Sequence, residues 1–380
     1  MLLHLPPWPQ HGDRERHLVD EVVRSGDWWR NEGVSVERFE RDFAELEETP
    51  LVLAVTSGTH ALELALMSAG IEAGARVIVP AATFFSTWSA VQRHGATAVL
   101  ADIDLDTWTL DPTAASAAAA ETSAAAVVPV HYGGVPAPLA DLGRSAPTLI
   151  QDAAHGPGIR SQGAPLVQAG GIVCWSFQQS KLLPGGEGGA MGFADEATYR
   201  RALTLQNCGR IPGTPGYGHL AVASNFRMPE LTSALLRAQL ERFVDLSIRR
   251  ANGASRLRAR LAAIDGIVLQ RARSGDSESH YLVQVRLTST GGTGRDEIVE
   301  RLASRGIPVS RTYPPLCEVP AYGASGYDPA EAAARCPNAM LVGRTGLSFH
   351  HRLLLAPPDV LDWVGDTVAE AVTSAAERFS

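Results

Sequence analysis

The chain has 380 residues, 45% of them apolar, and a formal net charge of -8. So much apolar content builds a large core, at ordinary domain sizes one large domain with a smaller one, or two of similar size. The acidic balance, with no Lys/Arg run to line a phosphate backbone, argues against a nucleic-acid partner.

Cys174, Cys208, Cys317 and Cys336 lie far apart with no C-x-x-C pair. Neither a disulfide framework nor a metal site has a signature here, and a reducing compartment is expected. The segment Met1–Pro7 lacks the basic start and apolar stretch of a signal peptide. No run approaches the roughly 18 apolar residues of a membrane span, so a cytoplasmic location is expected.

From about residue 50 to 195 short apolar runs alternate with helical stretches. The predicted strands are Leu51–Val55, Val77–Pro80, Thr97–Ala101, Ala126–His131, Thr148–Gln151, Ile172–Phe177 and Ala190–Phe193. Their hydrophobicity is continuous, as in strands covered on both faces. Helical patterns at Ala61–Ser68 and Ser86–Arg93 separate them. Helix-separated buried strands imply an α/β fold with a largely parallel sheet and ligands at the carboxyl ends of its strands. The alanine-rich Pro112–Ala126 reads as a surface helix. Pro229 marks a first helical turn, and Glu230 to about Ala263 reads as one long helix or two. A strand at Tyr281–Leu287 and helices at Asp296–Ser304 and Val360–Arg378 complete a smaller α+β unit. The expected division gives residues 1–240 and 241–380.

No G-x-x-x-x-G-K-[ST], H-E-x-x-H or G-x-S-x-G motif occurs, which leaves nucleotide, zinc and serine chemistry without support. Four stretches at predicted strand ends suit a phosphorylated aromatic cofactor instead. In Thr56-Ser57-Gly58-Thr59-His60 a strand runs through a glycine turn into a helix, whose first amides can bind phosphate; a plainly capped helix is the alternative. Pro80–Trp88 places Phe84 and Phe85 after a strand, where a ring could lie against a flat ligand or simply pack. Asp152, in Gln151-Asp152-Ala153-Ala154-His155, ends a buried strand, where a charge needs a partner such as a pyridinium, an arginine or a helix N-terminus. Lys181 follows an apolar strand and precedes Gly185-Gly186-Glu187-Gly188-Gly189, which lets backbone approach a ligand closely.

Taken together, these stretches resemble the DegT/StrS-type sugar aminotransferases, a branch of the fold-type I pyridoxal-phosphate enzymes. The strings SGTHALELAL, PAATFFST, PVHYGG, QDAAHG, SFQQSK, GEGGAM and SNFRM stand in the family's order. The resemblance implies a large mostly parallel mixed sheet with flanking helices and a smaller C-terminal α+β domain. It implies pyridoxal 5'-phosphate as cofactor, with Lys181 as its Schiff-base lysine. Asp152 matches the partner of the pyridine nitrogen, His155 a neighbour of the ring hydroxyl, and Phe84 the stacking aromatic. Gly58, Thr59 and Ser176 match phosphate-binding positions. Asn225 matches an asparagine that reaches the phosphate of the neighbouring subunit, which implies a homodimer with shared sites.

By the same resemblance, glutamate or glutamine donates nitrogen to a keto substrate in a ping-pong scheme. Lys181, once released, acts as general base while Asp152 keeps the ring nitrogen protonated. Relatives that dehydrate carry histidine at the lysine position, so Lys181 favours amination. GDWWRNEG, SHYL, RCPN and FHHRLLLAPP look like the 3-amino-5-hydroxybenzoate synthases, which dehydrate and aromatise their substrate. SFQQSKLL and Arg311-Thr312-Tyr313-Pro314-Pro315-Leu316 look more like the cyclitol aminotransferases, and amination of a keto-cyclitol or keto-sugar is the preferred expectation. A cofactor-bearing regulatory or partner subunit is a third reading. His131, Tyr132, Tyr313 and His350 or His351 are candidates for contacting substrate hydroxyls; satisfied structural hydrogen bonds are the alternative.

Overall fold

The computed structural model describes residues 3, 5–288 and 292–379; Met1, Leu2 and His4 of the N-terminal run lie outside them. A seven-stranded sheet organises the first half of the chain. In spatial order its strands are Leu51–Val55, Gly189–Phe193, Ile172–Ser176, Thr148–Asp152, Ala126–Val127, Arg76–Pro80 and Thr97–Ala101. Gly189–Phe193 pairs antiparallel with both neighbours, and the remaining pairings are parallel. This is the expected mixed, mostly parallel α/β sheet.

Side chains on a strand alternate between faces, so continuous apolar runs feed two core layers. Leu53, Val55, Val77 and Val79 pack into one layer. Val52, Ala54 and Ile78 pack into the other. The expected strand Ala126–His131 stops at Val127, because Pro129 has no N–H to continue a ladder; a single bridge from Val130 to Asp152 resumes the alignment. The alanine-rich helix runs Pro112–Thr122, started by Asp111, whose side chain accepts from Thr113 N, and stopped by Ser123 in a left-handed conformation.

A second, antiparallel sheet has the order Ile267–Leu269, Leu282–Leu287, Gly346–His350, Val309–Arg311. Leu257, Ile298, Leu302, Val364 and Val368, from three helices, build a core with it. The stretch after Pro229 forms two helices, Glu230–Glu241 and Phe243–Ala262, meeting at Arg242. A division after residue 240 is kept as a proposal, and two segments cross it. Leu3 and Leu5 pack in the second core, whereas Leu316, Cys317 and Val342 pack in the first. Among the described residues no helix is long and apolar enough to cross a membrane.

Candidate active site

The carboxyl ends of the parallel strands open into a cavity of about 380 Å³. At one end Leu51–Val55 turns directly into the helix Gly58–Ser68. Ser57 caps that helix, its Oγ accepting from His60 N at 3.1 Å. The turn presses against neighbouring strands. A Cβ on Gly58 would lie 2.7 Å from Ser176 Cβ, and one on Gly189 2.5 Å from the Ser57 carbonyl carbon. Glycine is therefore required at both places. The first helical residues Gly58 and Thr59, the hydroxyls of Thr59 and Ser176, and Ser86 (which accepts from Thr59 Oγ1 at 2.9 Å) line this end of the cavity. Amides and hydroxyls converging on a helix N-terminus form an anion cradle.

Deeper in, Asp152 ends the strand Thr148–Asp152 and is only 6% exposed. Its Oδ2 accepts from Thr87 Oγ1 at 2.7 Å and its Oδ1 from Ala154 N at 3.1 Å. Burial pushes this carboxyl above its usual range, while Thr87, the Ala154 amide and the Lys181 charge oppose that rise. The partners hold the carboxylate, and a cation on its cavity side would complete it.

His155 is buried and stacked on Tyr281, ring centroids 4.1 Å apart at 22°. Its Nδ1 accepts from Gly133 N at 3.2 Å, so the ring proton sits on Nε2. Burial, and then Lys181, hold its pKa well below the imidazole range. It is a neutral donor. Lys181 follows the strand Ile172–Ser176 and extends its Nζ to 5.0 Å from the centroid of the Tyr281 ring. Phe84 is 51% exposed at the rim, 5.4 Å from Tyr313.

Gly58, Thr59, Phe84, Asp152, His155, Ser176, Lys181 and Tyr313 thus share one cavity. The other expected residues do not line it. His131 is a satisfied core histidine: its Nδ1 accepts from Ala137 N at 3.0 Å, its Nε2 donates to Gln151 Oε1 at 3.3 Å, and burial lowers it to about 4. Tyr132 is buried behind Tyr313, ring centroids 5.8 Å apart, with its pKa raised by burial to about 12. His350 Nδ1 accepts from Arg352 N at 3.3 Å, and burial lowers its pKa to about 4. His351 is fully buried and donates to Ser180 O at 2.9 Å. Asn225 is exposed, off this cavity, its Oδ1 accepting from Arg227 N at 3.2 Å.

Thr87, Ser86 and Tyr281 were missed as site residues. Thr87 carries a faint signal, since Thr83 and Thr87 sit four apart after a strand and their hydroxyls meet at 2.9 Å. Tyr281 reaches the cavity from the bend just before the second sheet's strand Leu282–Leu287, which no local pattern announces.

A cradle for phosphate, a buried carboxylate open to a cation, a neutral imidazole donor and a lysine amine converge on one aromatic-rimmed space. The family model for DegT/DnrJ/EryC1/StrS aminotransferases matches residues 9–369. The chain belongs to this aminotransferase family. As a DegT/DnrJ/EryC1/StrS member it is a pyridoxal-phosphate enzyme of fold-type I. It is 38% identical to a 3-amino-5-hydroxybenzoate synthase of Amycolatopsis mediterranei (strain S699), over 97% of this chain and 98% of that one. It is 31% identical to an L-glutamine:scyllo-inosose aminotransferase of Streptomyces griseus, over 94% of this chain and 92% of that one. The crystal structure of a 3-amino-5-hydroxybenzoic acid synthase superposes with a TM-score of 0.95 at 36% identity, covering 98% of this chain and all of that one.

The residues fit the cofactor. Asp152 would supply the anion for the ring nitrogen, the Ser57–Thr59 turn with Ser176 would take the phosphate, and Lys181 would supply the amine. Bound there, pyridoxal phosphate contributes an aldehyde that condenses with amines and a ring that takes up electrons.

Proposed function

We propose that this aminotransferase moves nitrogen from glutamine or glutamate to the ketone of a keto-cyclitol or keto-sugar. The observation that carries the reading is the wall beside Lys181, made by Phe84, Tyr281 and Tyr313. Aromatic faces suit the C–H face of a polyhydroxylated ring, and the phenols suit its hydroxyls. Burial pushes the Tyr313 phenol up, so it stays a neutral hydrogen-bond donor through ordinary pH.

Each residue then has one task. Lys181 Nζ holds the cofactor between turnovers and, when free, carries a proton from the donor's α-carbon. Asp152, fixed by Thr87, balances the positive charge of the ring nitrogen. His155 offers Nε2–H beside the ring. Tyr281 lays an aromatic face 5.0 Å from the lysine Nζ.

The shared site is part of the same proposal. Lys181 is the one Lys or Arg side chain among the described residues lining the cavity, so one protomer brings no guanidinium to a phosphate dianion. The exposure of Asn225 supports its serving a second copy.

A second reading is dehydration and aromatisation of an amino-cyclohexenone acid. The 38% identity to the synthase favours it. A panel of keto-cyclitols, keto-sugars and the aminoshikimate-type acid, offered with glutamine or glutamate, separates the two by product mass. Gain of an amino group in place of a ketone oxygen supports amination. Loss of water with a new aromatic absorbance from the acid alone would overturn it.

A further inference from the structure

Lys181 sits in a loop between the strands Ile172–Ser176 and Gly189–Phe193. The loop ties to itself at several points. Gly185 N donates to Phe177 O at 2.7 Å, Gln179 N to Gly186 O at 2.9 Å, and Lys181 N to Gln178 O at 2.8 Å. Gln178 Oε1 accepts both the N–H and the hydroxyl of Ser180 at 2.7 Å. The carbonyls of Gln179 and Ser180, the two residues before the lysine, find partners outside the loop.

Those partners come from opposite ends of the chain. Trp8 Nε1 donates to Gln179 O at 3.0 Å, and His351 Nε2 donates to Ser180 O at 2.9 Å. The two donor rings brace each other edge to face, centroids 4.6 Å apart at 79°. Over the Trp8 ring lies the guanidinium of Arg250, 5.3 Å from the centroid. Arg250 is fully buried, and among the described residues none of its three nitrogens has a hydrogen-bond partner. The indole face is therefore the partner its charge has.

Trp8 is held there by a strap fastened on both sides. Leu3 N donates to Arg305 O at 2.8 Å, Arg352 donates to Pro6 O at 3.0 Å, and Gln239 donates to Gln10 O at 2.8 Å. His351 is held in one state as well. Burial, followed by His350 and Arg250, keeps its ring well below the imidazole range, and a carbonyl partner requires the proton on Nε2.

We propose that Trp8 and His351 are positioning residues that fix the two peptide groups before Lys181, with Arg250 seating Trp8; this rests on reading Lys181 as the cofactor-bearing lysine. A long side chain magnifies any tilt of its backbone, and reactive groups must be held within about 0.5 Å of their working geometry. The Gln179 carbonyl lies toward solvent, so water replaces a lost indole N–H there. Losing that donor therefore changes lysine placement more than folding.

The test uses the full chain with Trp8→Phe, His351→Leu and His351→Gln. Two readouts are taken on each: hydrogen exchange of amides 178–186 in the holoenzyme, and the rate at which the apo-protein captures added pyridoxal phosphate. Trp8→Phe keeps a ring against Arg250 and His351 but has no N–H. It and His351→Leu are each expected to speed exchange and slow capture about three- to tenfold, the range of one ordinary hydrogen bond. His351→Gln restores an N–H and returns both within about twofold of wild type. Wild-type rates in Trp8→Phe and His351→Leu would overturn the proposal, as would a glutamine variant no better than leucine. A wild-type protein that captures no cofactor, or a Lys181→Ala variant that captures it covalently, would instead overturn the reading of Lys181.

Discussion

At the scale of single residues, the site works by giving buried polar groups partners on every side but one. Asp152 is held by Thr87 and Ala154 and left open toward the cavity. Removing the Thr87 hydroxyl takes away one of these, about 1.5–3 kcal/mol for a hydrogen bond to a charged group. Thr87→Val is accordingly expected to weaken cofactor binding by about tenfold or more, with Thr87→Ser close to wild type; equilibrium dialysis against pyridoxal phosphate measures both. Glu47, away from the site, shows the opposite balance. It is 1% exposed, accepts from Gly158 N at 2.7 Å, and burial raises it to about 7. The folded chain thus keeps the Glu47 proton to higher pH than the unfolded chain does, and stability falls as pH rises from about 4.5 to about 7. Glu47→Gln lacks that loss, so its melting temperature relative to wild type is expected to rise between pH 5 and pH 8. A difference that stays flat across that range would contradict the assignment.

At the scale of elements, the phosphate end depends on a helix starting hard against two strands. Gly58 has no room for a Cβ, which would lie 2.7 Å from Ser176 Cβ. Gly58→Ala is expected to push the helix start off the sheet and reduce cofactor affinity at least about tenfold, while melting falls by a few degrees, since the rest of the helix packs unchanged. An unaltered dissociation constant would remove the turn from the phosphate site. Local patterns made this architecture legible. Continuous apolar runs marked the strands because both faces are covered, and Ser57-Gly58 marked the turn because its capping and its tight approach are both local. Pro129 shortened one strand that the apolar pattern overran. His131 shows where such reading stops. Its place after a strand is visible in sequence, but whether the ring faces cavity or core depends on Ala137 N and Gln151, which only the folded sheet brings to it. Trp8 is the same case at longer range, 171 residues from its partner Gln179.

At the scale of the whole molecule, the two sheets meet at the site rather than beside it. Tyr281, just before the second sheet's strand Leu282–Leu287, stacks on His155, and Tyr313 opens the segment whose later residues pack back into the first core. Both cores take residues from either side of position 240, and so does the cavity. The proposed second copy adds a further level. If Asn225 serves the partner's cavity, Lys181→Ala on one chain and Asn225→Ala on the other fall in the same site of a mixed dimer and leave its second site intact. Unfolding and refolding the two variants together in equal amounts is then expected to restore about one quarter of wild-type turnover, from the half of the dimers that keep one intact site. No gain over the separate variants would contradict a shared site.

The central claim is that Lys181 is the residue to which pyridoxal phosphate is joined, and its most direct measurement is covalent. Purified protein loaded with the cofactor is treated with borohydride, digested and mapped by mass spectrometry. The account predicts a phosphopyridoxyl group on the peptide containing Lys181 and on no other. A modified peptide elsewhere, or none at all, would contradict it.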